Sequence, residues 1–480
     1  MSEATPLKVF VVGAGIGGLS AAIALRQQGH HVEVCSLAVH QKENDELTPR
    51  SRAQIFEKSR LASEVGAAVH CAPNCTALLN RMGIYPETFG ATVNESITFR
   101  DKNAVALFSK HHDEERKHWQ AEYYLVHRVD LHTALKHAAL CPTSPSNPGP
   151  PATLHTSRPV ASISPSTATI TFASSSDGNG TGSTTLSADL VVAADGIHSR
   201  ARSAITGRHV PLFTSGKCGF RWLAPTAALL ADDATKIFAE EEGACVQVGG
   251  EGRNGEFRRI VFYPCSEGRV MNAIAFVPTA EVGRVERGLS GYNQSANKGK
   301  LIEHFDGFSE PVMRMLDKAP ADDVMLWDLL DMEVLPSFVK DRAVLIGDAA
   351  HPFLPCERRP GRLYARRMLT GDTDMGQGAA QAVEDAAALG ACLPAGTPAA
   401  DVPQRLRVWE QCRKERADWV QEVTRIRGRD PNGKQGPPQT PEAFAEALER
   451  CVSHNAWDHA VNVMNSLKEG SNDQKIAASL

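Results

Sequence analysis

The chain has 480 residues, 42% of them hydrophobic, with 51 basic and 56 acidic side chains and a formal net charge of −5. That length excludes a single small domain and supplies enough apolar residues for a buried core in two or three. The small charge, with no long basic run, argues against nucleic acid as a partner. The eleven cysteines are scattered with no CxxC pair, and the closest two, Cys71 and Cys75, read as buried free thiols. No run reaches the length of a membrane span, and MSEATPLKVFVVGAG passes straight into a strand without a leader-like segment. A reduced, cytoplasmic protein is expected, with no membrane partner.

Residues 7 to 29, LKVFVVGAGIGGLSAAIALRQQG, predict a buried strand, a glycine turn, and a helix closed by Gly29. Gly13 permits the turn, Gly15 lets backbone approach a pyrophosphate, and Gly18 lets helix and strand pack closely. The helix N-terminus offers free N–H groups to the phosphate. This pattern in this place predicts a dinucleotide site, with a purely structural glycine turn as the alternative. An acid about 20 residues further on should hold the ribose, yet position 36 is a serine.

Next in the chain, KHHDEERKHW carries three of the 17 histidines. It is charged without apolar periodicity, so a solvated loop or helix end is expected rather than a metal site. Residues 141 to 187 are rich in Pro, Ser, Thr and Gly, with SSSDGNGTGSTT as the loop of a hairpin between ATITFA and LSADLVVAA. DLVVAADGIHSRAR (189 to 202) is a strand followed by Asp195 and Gly196, and AVLIGDAAHP (343 to 352) is a strand followed by Gly347 and Asp348. Between them, GACVQVGG, RRIVFYPC and MNAIAFVP predict a β-rich region. GQGAAQAVEDAAALG (376 to 390) opens a helix with glycines. A second helix in RLRVWEQCRKERADWVQEVTRIR presents Leu406, Trp409, Cys412 and Arg416 at helical spacing. A linker (428 to 441) and a short helical tail follow.

These three ordered motifs, with the 376 to 390 helix, resemble the single-component FAD-dependent monooxygenases that hydroxylate aromatic rings, the salicylate hydroxylase-like group, over roughly residues 7 to 425. The resemblance implies an α/β fold: a Rossmann-like FAD-binding domain with a β-sheet substrate domain and C-terminal helices. The FAD domain would comprise 1–90, 120–205 and 326–427, the substrate domain 91–119 and 206–325, and 428–480 would be linker and tail. FAD would be the cofactor, NADH or NADPH the reductant, and O2 and a small aromatic compound the substrates, in a monomer or homodimer. By resemblance, Asp195 serves the FAD pyrophosphate and the nicotinamide nucleotide, Asp348 binds the ribityl chain, and Arg128 reaches the FAD phosphates. Ala68 is placed at the cofactor, and Ala350, His351 and Pro352 pass beside the flavin ring. The N–H groups of Gly378 and Ala379 face the reduced flavin's pyrimidine end. Relatives with GQGxN have a side-chain amide where this chain has Ala380.

For catalysis, Arg221 in CGFRWLAP is the candidate anchor for a phenolate or carboxylate, since a guanidinium favours the anion that activates a ring. Tyr263 could donate to the same oxygen. A structural arginine or tyrosine remains the alternative at each. On the same scaffold, an FAD-dependent dehydrogenase, reductase or epoxidase is the rival activity, and a form disabled by its insertions is another.

Those insertions answer the missing acid. The family continues its second strand as GHxVxVFEK, and here IFEK resumes only at Ile55, so excision of 34–54 restores GHHVEIFEKSR and makes Glu57 the ribose acid. Likewise 356–374 replace one tyrosine of HPFLPYxGQGAAQ. Both polar segments have codon possibilities at their ends that suit retained introns, and genuine surface insertions are the alternative. A cDNA sequence decides between them.

Overall fold

The computed structural model describes residues 5–36, 68–145, 147–156, 159–172, 184–282, 294–354, 376–428 and 441–477. Val9 to Val12 are buried throughout, as is Leu190 to Ala193, the continuous apolar pattern of strands covered on both faces. They form the centre of a six-stranded sheet ordered Val339–Lys340, Ala343–Leu345, Leu190–Ala193, Lys8–Val12, His31–Cys35 and Thr153–His155. All neighbours run parallel except the outermost 339–340 pair. Val12 lies opposite Ala193, and Ala193 opposite Leu345. The turns that follow these three strands are therefore neighbours at one carboxyl edge, where ligands of such sheets bind.

Two helices, Ile16–Gln27 and Gln377–Cys392, cross closely over this sheet because small residues line their contact: a Cβ on Gly390 would stand 3.0 Å from the Ala24 carbonyl oxygen. Val402–Gly428 packs outside them, burying the predicted Leu406, Trp409, Cys412 and Arg416. The expected short tail is two helices, Pro441–Val452 and Ala456–Ala477, and Ala456, Ala460 and Met464 join the main core.

The second sheet has eight strands, in the order Gln294–Ser295, Met325–Met332, Leu212–Pro225, Val270–Pro278, Phe257–Cys265, Ala244–Glu251, Ser96–Asp101 and Ala106–His111. The region expected to end at 325 thus continues to Met332, because that strand pairs with residues 212–221. Alternation divides its faces. Phe220, Trp222, Phe262 and Ala273 pack under the helices Lys298–His304 and Glu310–Asp317. Arg221, Val261, Tyr263, Asn272 and Ile274 point the other way, over the carboxyl edge of the first sheet.

Two local expectations are corrected. LSADLVVAA is split between sheets: Thr185–Ser187 pairs with Thr169–Phe172, while Leu190–Ala193 belongs to the parallel sheet, and between them Asp189 accepts the Lys8 N–H at 2.9 Å. Within KHHDEERKHW, His112 is buried beside Trp119 and Tyr123 rather than solvated. Cys71 and Cys75 are buried free thiols. Val34 and Cys35, the first residues of the 34–54 segment, complete a strand opposite Val11 and Val12. Glu57 and the 356–374 segment lie outside the described residues.

Candidate functional site

The glycine turn divides its labour between packing and openness. Gly13 has φ +107°, and a Cβ there would lie 2.2 Å from the Ala194 carbonyl oxygen, so this position excludes other side chains twice over. A Cβ on Gly18 would meet the Gly13 carbonyl oxygen at 2.0 Å, whereas one on Gly15 would meet nothing within 4 Å. Gly15 thus opens onto space at the N-terminus of Ile16–Gln27, whose first turn has no side-chain cap and no acid. Free N–H groups there suit a phosphate. The turn is held by the Gly13 N–H donating to Cys35 O at 2.8 Å and by His132 Nε2 at 2.8 Å from Ala14 O.

Beside it, Asp195 Oδ2 accepts the N–H groups of Arg200 and Ala201 at 2.7 and 3.2 Å, while its Oδ1 is buried with no hydrogen-bond partner. Gly196 has φ +74° and open space where a Cβ would be. Arg202 fastens this turn to the third: its guanidinium donates to Ile197 O at 2.8 Å, Ala349 O at 2.9 Å and Asp348 O at 3.1 Å. Asp348 itself stands in a crevice deep enough that burial raises its carboxyl above the usual range, against the pull of His351, Arg128 and Arg202. Its surface is nevertheless exposed to that crevice.

What fixes the third turn is a buried charge network that the sequence reading did not anticipate. The Gly347 N–H and His351 Nε2 meet Asp385 Oδ2 at 2.9 and 2.7 Å. Asp385 Oδ1 accepts from Arg413 Nε at 2.9 Å, and the same guanidinium reaches Gln381 at 2.8 Å and Glu384 at 2.5 Å. Arg416 grips Glu384 with two bonds of 2.7 Å and donates to the carbonyls of Arg450 and Cys451 in the tail at 3.0 and 2.8 Å. Asn74 Nδ2 adds bonds to Glu384 at 2.6 Å and Gln377 at 3.0 Å. Burial alone would raise Glu384, but Arg416 and Arg413 outweigh it and hold the carboxyl far below its usual range. For Asp385 burial is likewise overcome, by His351 and Arg413. The charges of this cluster are all paired, while His351 Nδ1 and Asn74 Oδ1 at its edge are buried without a partner; such pairing fixes geometry, and losing one charged member leaves an uncompensated charge. The available signal was two adjacent acids inside the otherwise apolar helix AVEDAAALG.

Between these turns and the second sheet lies a cavity of about 530 Å³. It brings together Arg128, Asp195, Asp348, Gly378 and Ala379 with Arg221 and Tyr263, and Ala68 joins its wall. Gly13, Gly15 and Gly18 are outside its lining; Gly13 packs against Ala194 and Asp195, the latter a lining residue, and Gly18 against Gly13 and Ala194. Gly378 is open where a Cβ would be, at the start of Gln377–Cys392. Of the three residues expected beside the flavin, only Pro352 lines the cavity. Ala350 and His351 are buried in the core instead, the latter turned away by its bond to Asp385.

On the roof, the Arg221 guanidinium lies 4.0 Å over the Trp327 ring. Burial pushes it down to about 10, with Tyr263 opposing and Arg128 assisting. Among the described residues no carboxylate pairs with it, so it is a desolvated cation facing a cavity. Tyr263 packs edge-on to His70, with ring centroids 4.5 Å apart, and His70 Nδ1 is 3.0 Å from the Tyr123 hydroxyl. His70, Asn272 and Trp327 are cavity residues absent from the sequence reading. Strand alternation fixes their face, but nothing local says which face meets a ligand. Among the described residues no cluster of His, Cys, Asp or Glu is arranged to hold a metal ion, and no helix is long and apolar enough to cross a membrane.

These residues suit FAD. Backbone at Gly196 and Gly378 is open along one crevice, Gly15 is open at the neighbouring helix N-terminus, and Asp195 Oδ1 has no donor. Comparison with known proteins agrees. Residues 11–36 match the description of an NAD(P)-binding Rossmann-like domain. The chain is 31% identical over 421 residues to a hispidin-3-hydroxylase of Neonothopanus nambi, with 86% of each chain covered. It is 29% identical to the FAD-dependent monooxygenase cfoG of Aspergillus candidus, with 88% of this chain and 85% of that one covered. A salicylate hydroxylase–substrate complex superimposes with a TM-score of 0.67 at 21% identity, covering 95% of this chain and 98% of the other, and so shares the fold.

Proposed function

We propose, from the premise that this chain belongs to the FAD-dependent monooxygenases, that it hydroxylates a small aromatic acid or phenol whose anionic oxygen is held by Arg221. The carrying observation is that half-buried guanidinium, without a carboxylate partner among the described residues, in the roof of a cavity whose floor is made by Asp195, Asp348 and Gly378. Bound FAD supplies the redox chemistry, taking electrons from NADH or NADPH and delivering one oxygen atom of O2.

The protein's own groups place and protect that reaction. We assign Gly15 and the N-terminus of Ile16–Gln27 to the pyrophosphate, with Asp195 and Arg128 beside it, and Asp348 to the ribityl chain. The N–H groups of Gly378 and Ala379 are placed to stabilise negative charge on the flavin's pyrimidine end. Across the cavity, Arg221 keeps a phenolic or carboxylic oxygen ionised, and an ionised phenol is the more electron-rich ring. Tyr263, which interacts electrostatically with Arg221, is assigned as a donor to the same oxygen. Apolar Val261, Ile274, Phe276 and Trp327 complete the walls and keep water from the reacting atoms.

The test is a panel of phenolic acids assayed for substrate-stimulated NAD(P)H oxidation with purified FAD-loaded protein. Stimulation by at least one hydroxylated aromatic, with a hydroxylated product, is the expected result. A protein that stays colourless when supplied with FAD favours the disabled form instead.

A further inference from the structure

We propose that Asn272 is a specificity-determining residue, which makes the preferred substrate an aromatic acid carrying a second, neutral hydroxyl or amide-like group that both donates and accepts a hydrogen bond. This rests on the reading of Arg221 as the anchor of the anionic oxygen.

Asn272 lies in the strand Val270–Pro278, between Tyr263 on one neighbouring strand and Leu223 on the other. Asparagine is depleted from strands, and a central strand gives its side chain no turn to serve. Here it is 1% exposed, lines the cavity, and has its Oδ1 buried with no hydrogen-bond partner. Backbone pairing does not use a side-chain amide, so the group is left with polar capacity directed at the cavity. A buried amide in that condition is normally matched by something. The assignment does not depend on which end of the amide points inward, since oxygen accepts and nitrogen donates, and a hydroxyl or amide answers either.

The sheet sets the spacing. Arg221 lies opposite Ile274, two residues from Asn272 on the adjacent strand. Asn272 is therefore one strand over and about 7 Å along from Arg221 on the same face. That backbone separation leaves room for one substituted aromatic ring to reach both side chains from the same face. The guanidinium, a donor only, selects the anionic end. The amide selects a neutral polar end and disfavours a bare C–H there, because binding such a ring would leave the amide unpaired.

The probes are benzoate and 4-hydroxybenzoate, titrated against the FAD-loaded protein and read as perturbation of the flavin absorbance spectrum. The wild-type protein is expected to bind 4-hydroxybenzoate about 10- to 100-fold more tightly than benzoate, the range for one well-placed hydrogen bond in a closed site. In Asn272→Leu the gap should fall below about threefold, through weaker 4-hydroxybenzoate binding and tighter benzoate binding, while FAD content stays unchanged. Should the leucine variant fail to retain FAD, Asn272→Ser, smaller and polar, is expected to narrow the gap in the same direction. A wild type that does not discriminate, or a variant that keeps the full gap, overturns the role of Asn272 and leaves Arg221 untouched. Failure of both probes to bind the wild type overturns the Arg221 anchor, and this proposal with it.

Discussion

The floor and the roof of the cavity handle buried polarity in opposite ways. Beneath the floor, Glu384, Asp385, Arg413 and Arg416 are buried, and hydrogen bonds among themselves and to His351, Asn74 and the tail carbonyls match their charges. In the roof, Arg221 faces the cavity with only an aromatic ring beneath it, and Asn272 has a buried oxygen without a partner. The first arrangement pairs every one of its charges without a ligand and serves to hold backbone turns in place. The second is complete only with one. Substitutions below should therefore cost fold and cofactor, and those above should cost substrate recognition.

The largest expected effect is at Arg413. Arg413→Met leaves Glu384 and Asp385 short of one cation in a site closed to water, which costs about 3–5 kcal/mol. Thermal melting and flavin content should both fall, and a variant with wild-type melting and full flavin would break the contrast drawn between floor and roof. Next comes Gly13→Ala, which places a Cβ 2.2 Å from a backbone oxygen at φ +107°. FAD affinity, measured by titration of the apoprotein, is expected to drop by about 100-fold, since a clash and a strained backbone each cost more than 1 kcal/mol.

Arg221→Gln should spare melting and FAD binding and raise KM for a phenolic acid about 10- to 100-fold. Arg221→Lys should recover only part of that loss, because an ammonium lacks the planar face that lies over Trp327. If Arg221→Gln instead unfolds the protein, the roof is structural after all.

The most gradual effect concerns pH. Burial lowers His112 and His454 from the ordinary 6.5 to about 4. For each, Glu115 or Glu384 respectively pulls the other way without prevailing. Both histidines are neutral when folded, so the unfolded chain takes up protons first as pH falls. Their contribution to stability is present above pH 6.5 and is lost between 6.5 and 4, at up to about 1.4 kcal/mol per pH unit for each. Melting temperature should slope downward through that window, and His112→Phe, which keeps an aromatic ring beside Trp119 and Tyr123, should flatten the slope.

The turns at the carboxyl edge of the first sheet were more legible in the sequence than the residues of the roof, for physical reasons. A buried parallel strand followed by a glycine turn is a local pattern, so the turns at Gly13, Asp195 and Gly347 were legible one by one, and parallel pairing then made them neighbours. The charge network was hidden because its partners, Glu384 and Arg413, stand 29 residues apart on different helices and meet only through packing. His70 and Asn272 sit in strands whose alternation is plain, but the ligand-facing side depends on how the second sheet lies over the first. LSADLVVAA misled because its apolar run conceals the break at Ala188 and Asp189. The tail was unread for a related reason: its link to the site is through the backbone carbonyls of Arg450 and Cys451, which no side-chain pattern announces.

The measurement that bears most directly on the whole account is the source of the oxygen in the product. The FAD-loaded protein, given NAD(P)H, a phenolic acid that stimulates its oxidation, and 18O-labelled O2, should yield a hydroxylated ring carrying one labelled atom. A product with unlabelled oxygen, or an oxidised product that has gained no oxygen, would contradict the account and assign the same scaffold to a dehydrogenase or reductase.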